Sequence, residues 1–143
     1  MSGTPEVAIM TALQAQLRTV DADMYDNRTA RENVDFAAPA PTIAYQELTY
    51  AWATPGNVEK GASTFLQTGY LQILLRYPGG AGAGAALIRA RAIRSAFRCP
   101  SSFTADGITT NISQTPQILA GYPDADGRYV VPVRVFFNAQ LPN

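Results

Sequence analysis

The chain has no histidine among its 143 residues. The side chain most used for proton transfer near neutral pH, and most used as a transition-metal ligand, is therefore missing, which weighs against enzymatic readings. A single cysteine, Cys99, excludes an internal disulfide and fits a reducing compartment. Net charge is missing as well: eleven basic and eleven acidic residues cancel. No global field then draws the protein to nucleic acid or anionic lipid, and direct nucleic-acid readout is not expected. No apolar run approaches the ~18 residues of a membrane span, and the first residues lack a basic segment followed by an apolar one. The expectation is a protein of cytoplasmic origin with no membrane partner.

What is present is enough apolar sequence, 47% of the chain, for one domain over residues 1–143 with a core of its own. Its organising stretch is Thr68 to Pro78, where Leu71, Ile73, Leu75 and Tyr77 alternate with Tyr70, Gln72, Leu74 and Arg76 at the period of a half-buried strand. A turn rich in glycine, Gly79 to Gly84, follows. The four-three-four spacing of Ala86, Ala90, Ile93 and Phe97 then predicts a helix over Ala85 to Phe97. A leading helix starts at Pro5, with Thr4 as N-cap and Ile9, Met10, Leu13 and Leu17 on its apolar side.

Asp21 to Arg31, rich in charge through Asp21, Asp23, Asp26, Arg28 and Arg31, reads as a solvated loop, with an arm over 21–41 lying on a neighbouring subunit as the sharper alternative. Thr42 to Trp52 reads as a strand whose imperfectly sorted faces point to a bulge or to cover on both sides. Thr54 to Ser63, including Asn57, Glu59 and Lys60, is a projecting hairpin loop. Ile108 to Thr115 favours a strand, Gly121 to Gly127 a turn, and Tyr129 onward the clearest strand, with Val130 and Phe136 on an unusually apolar second face that invites a partner. Pro132 places that strand at an edge or a bulge. The order helix, strand, strand, helix, strand, strand predicts an α+β domain: a four-stranded, mainly antiparallel sheet from two hairpins, with helices packed on one face.

Three groups of residues invite a chemical reading. Gly80, Gly82 and Ala85 satisfy a G-x-G-x-x-A spacing, but the helix opens with Ala85-Ala86-Leu87 where a phosphate loop needs Lys and a hydroxyl, and no second strand with a ribose-binding acid follows. Arg91, Arg94 and Arg98 line one flank of the same helix, either as a solvated face or as a seam to acids on another subunit, with Asp21, Asp23 and Asp26 or Asp124 and Asp126 as partners. Asp124 and Asp126 fall short of the oxygens calcium wants, and Cys99 lacks a base. No catalytic set, metal site or cofactor is expected.

The leading helix, Asn33-Val34-Asp35-Phe36 with prolines after it, and Thr68-Gly69-Tyr70-Leu71-Gln72-Ile73 followed by Tyr77-Pro78 and a Gly/Ala helix start resemble the tail terminator family of long-tailed bacteriophages. So does Gly127-Arg128-Tyr129 with Val131-Pro132-Val133, the likeness running from about Val7 to Phe137. The resemblance implies a virion protein, assembled in the host cytoplasm, that forms a hexameric ring on the head-proximal end of the tail tube. Such a ring halts tube growth and gives the head connector its docking surface. Its partners would be copies of itself, the tail tube protein and the head-closure or connector protein, with no cofactor and no reaction. The alternatives are another neck or tube component and, less favoured, a small nucleotide-binding domain using Gly79 to Gly84.

Overall fold

The computed structural model describes residues 4–57 and 63–142, which form three helices and eight strands. Helix α1 (Pro5–Arg18) begins after Thr4, as expected, although the Thr4 side chain makes no capping hydrogen bond. Helix α2 (Ala22–Asn27) and strand β1 (Thr29–Ala30) follow, then β2 (Tyr45–Trp52), β3 (Thr64–Tyr77) and α3 (Gly84–Ala96). The last part holds β4 (Ser102–Ala105), β5 (Ile108–Ile112), β6 (Gln117–Ile118), β7 (Tyr122–Pro123) and β8 (Tyr129–Pro142).

The expectation of four strands from two hairpins fails. The sheet has eight strands and is mixed, in the order β1-β2-β3-β8-β5-β4 with β6 and β7 also on β8. Three local causes account for the difference. First, Asp21 to Arg31 is not a loop: it folds into α2 and into β1, which pairs parallel to β2. Second, Asp106 and Gly107, both at positive φ, make a two-residue turn that folds β4 back on β5. Third, the strand expected beside β8 is broken. From Ile112 opposite Phe137 to Gln117 opposite Arg134 the chain uses five steps against three, and from Ile118 opposite Val133 to Tyr122 opposite Val130 four against three. Those bulges leave β5, β6 and β7 as separate short strands.

Strands β3 and β8 are the long antiparallel centre, paired from Thr64 and Pro142 to Tyr77 and Tyr129. Pro132 therefore lies on a central strand rather than an edge, but beside the second bulge, where the missing N–H interrupts little. Strand β2 pairs with β3 without a bulge over Tyr45 to Trp52. Its mixed faces come from double cover: Leu48 lies in the core, while Tyr45 on the other side packs against Phe36 with ring centroids 5.4 Å apart.

The core forms where Ile9, Leu13 and Leu17 of α1 and Ala86, Ala90, Ile93 and Phe97 along α3 meet Leu71, Ile73 and Leu75 of β3 and Val131, Val133, Val135 and Phe137 of β8. Each fully buried Leu or Ile here contributes on the order of 1.5–3 kcal/mol. Helix α2 packs instead on β1, β2 and α1. Among the described residues the other side of the central ribbon carries no helix, and its Tyr45 end is covered by the segment from Phe36 to Ile43. Buried Arg128 anchors that segment by donating to the carbonyls of Ile43, Pro39 and Ala40 at 2.7, 2.8 and 2.9 Å, with its guanidinium over the Tyr45 ring.

Candidate functional site

The charged residues that sequence reasoning offered as contacts between subunits are largely paired inside the chain. Asp21 caps α2 by accepting the Met24 N–H at 3.1 Å and receives Arg89 of α3 at 2.6 Å. The Arg89 hydrogen bond and the Met24 N–H hold its carboxyl below the usual carboxylate range. Asp26 is bidentate with Arg18, and Asp23 takes Arg28, which also donates to the Ala44 carbonyl at 2.8 Å. Arg31 lies over the Tyr25 ring, 4.6 Å from its centroid. Within the subunit, the contact between these acidic residues and α3 is made by Asp21 and Arg89, not by Arg91, Arg94 or Arg98.

Of those three, Arg94 donates to the Pro116 carbonyl at 3.0 Å, holding the bulge before β6. Arg91 and Arg98 are exposed and form no ion pair among the described residues. Asp124 is a structural turn residue: it accepts the N–H groups of Asp126 and Arg128 and pairs with Arg76 at 2.8 Å. Burial pushes its carboxyl up, and those N–H groups with Arg76 outweigh burial and leave it below the usual range. Asp126 is exposed. Val130 is fully buried within the subunit, whereas Phe136 is half-buried on the helix-free face against Tyr70, centroids 5.6 Å apart. Asn57 is exposed at the base of the β2–β3 loop, held by reciprocal hydrogen bonds between Gly56 and Leu66; Glu59 and Lys60 lie outside the described residues.

The glycines after β3 have structural work. A Cβ at Gly79 would collide with the Gly127 carbonyl of the β7–β8 turn, and Gly80 and Gly82 sit at positive φ. Positive φ at Gly80 and Gly82, beside the close approach at Gly79, accounts for the glycines of this turn without a nucleotide. Among the described residues no cluster of three or more potential metal ligands occurs, and no helix is long and apolar enough to cross a membrane.

What remains available is apolar helix surface, half-covered aromatic sheet and open sheet edge. On α3, Ile88 is 74% exposed beside Leu87, next to a groove lined by Val20, Tyr77 and Ala85. On the helix-free face Arg134 lies over Tyr70 at 4.8 Å and donates to Gln72. At the end of β2, Trp52 is exposed by 40% while stacking on Tyr50 and meeting Phe137 edge-on. Sequence reasoning missed Leu87, Ile88 and Trp52. Leu87 and Ile88 fall off the stripe of Ala86, Ala90 and Ile93, a departure from helical period that could have exposed them.

A family model described as phage tail terminator protein matches residues 8–137. The chain belongs to the phage tail terminator family. Membership makes it a structural component of a phage tail. Two solved structures share the fold of this tail terminator. One, of a protein without a functional name, is 15% identical with a TM-score of 0.65, covering 96% of this chain and 94% of that one. The other, a chain in the virion of a native gene transfer agent particle, is 15% identical with a TM-score of 0.55, covering 99% of this chain and all of that one. No curated protein matches the chain.

Proposed function

We propose that this tail terminator closes into a ring, six copies by the family resemblance, on the head-proximal end of the tail tube. There it ends tube growth and presents the docking surface for the head connector, with no reaction of its own. The observation that carries this is the family match over residues 8–137. The surface supports it: several of the acidic residues are paired with arginines inside the subunit, while apolar and edge surface stays open for neighbours. A ring of this kind acts by shape, since each copy offers different surfaces to its two neighbours and addition stops when the circle closes. The β2–β3 loop, exposed at Thr54 to Asn57, is the proposed axial contact with the tube. Native mass measurement of the purified protein, alone and with tail tubes, is the test: a closed oligomer bound at one tube end is expected, and a monomer indifferent to tube ends would overturn the proposal.

A further inference from the structure

The two edges of the sheet are open in complementary ways. At one, β1 covers β2 only at Gln46 and Glu47. Gln46 points its N–H outward, to the Arg28 carbonyl, so the alternation of an antiparallel ladder turns the peptide groups of Tyr50 and Trp52 to the same outer side. The Tyr50 N–H is taken by the Glu32 carboxylate at 2.8 Å, and the Trp52 groups have no partner among the described residues. At the other edge, the Ser101 carbonyl turns inward to the Ile112 N–H, so the peptide groups of Ser102 and Thr104 on β4 face outward. Beside that edge a groove runs between β4 and α1, lined on the helix by Thr11, Ala12 and Ala15.

Direction and side-chain placement agree. Strands β2 and β3, β3 and β8, β8 and β5, and β5 and β4 pair antiparallel, so β4 runs the same way as β2. Copies related by rotation about a ring axis would offer β4 to a neighbour's β2 in parallel, the sense in which β1 already pairs there. Trp52 shares the side of the sheet that carries Leu48 and α1, the side on which the small-residue groove opens. Charge agrees as well: exposed Arg98 stands in the link leading into β4, and exposed Glu32 lies on the β2 edge where such a strand would begin.

We infer that β4 of one copy adds to the free end of β2 in the next, and that Trp52 of the second copy fills the groove between α1 and β4 of the first. This rests on the ring reading above and names its lateral seam. Incoming main-chain groups would take the Tyr50 N–H and release Glu32 toward Arg98 of the neighbour, while Trp52 supplies the apolar anchor.

Trp52 is the one tryptophan of the chain, so its emission reports directly on this contact. Sedimentation and tryptophan emission are recorded together across a dilution series of the full chain. Assembly is expected to move the emission to shorter wavelength. Ala15→Arg, which fills the groove from an exposed helix position, and Thr104→Pro, which removes an outward N–H, should each raise the concentration for half-assembly by about tenfold or more. Their circular dichroism should stay unchanged. If Thr104→Pro fails to fold, Ala15→Arg decides alone. Rings that form with Ala15→Arg at the unaltered concentration, without movement of the Trp52 emission, overturn the seam and leave the ring standing. An unaltered chain that never assembles overturns the ring and the seam with it.

Discussion

Phe136 and Phe137 are neighbours on β8, yet one is half-buried on the helix-free side and the other is sealed under the helices. The whole strand repeats the contrast. Val131, Val133, Val135, Ala139 and Leu141 share the side of Phe137 and are fully buried. Arg134, Phe136 and Asn138 stay accessible on the other side, where the segment held by Arg128 covers the Tyr45 end. What decides the difference is what lies across from each side chain. One face builds the fold by volume, and the other is left to aromatic and cationic stacking that a partner can extend.

The largest test of that contrast is to truncate both rings. Phe137→Ala should cost about 3–5 kcal/mol in urea unfolding, the penalty of a cavity in a packed core, and Phe136→Ala only about 1–2 kcal/mol. Equal losses would mean that the helix-free face is core after all. Next comes the covered end of that face: Arg128→Met should cost about 1.5–3 kcal/mol, because three carbonyls lose their buried donor. Hydrogen exchange should then quicken in the segment from Phe36 to Ile43 while β8 stays protected.

Acid gives a smaller, graded effect. Asp21 and Asp124 have carboxyls lowered in the folded state, so the stability they add is present above the unfolded carboxylate range, near pH 4, and is lost as pH falls through their folded values. Asp21→Asn should flatten part of that acid limb in a melting series from pH 6 to about pH 2.5. The smallest effect belongs to Arg18→Ala: its pair with Asp26 is 53% and 45% exposed, and the melting temperature should not move measurably.

The parts of the fold legible in the sequence were those that repeat. β3 and β8 alternate over many residues, and α1 and α3 repeat their apolar stripe across three turns, so period alone reveals them. Elements α2 and β1 are shorter than such a window. They exist because Asp21 caps the helix and meets Arg89, a partner 68 positions away, and because Thr29 joins buried Gln46 at 3.0 Å. The β4–β5 hairpin did carry a local sign, Asp106-Gly107, which a weakly apolar setting hid. Assembly surface was the least legible. Charges drew attention to themselves, but the fold pairs most of them internally, and the open edges at Trp52 and Thr104 arise only once the strand order is known.

The central claim is that this chain ends a tube by capping it. Electron microscopy of particles assembled without the chain tests this most directly. Overlong tubes of uncontrolled length, unattached to heads, are predicted. Tails of normal length would contradict the account.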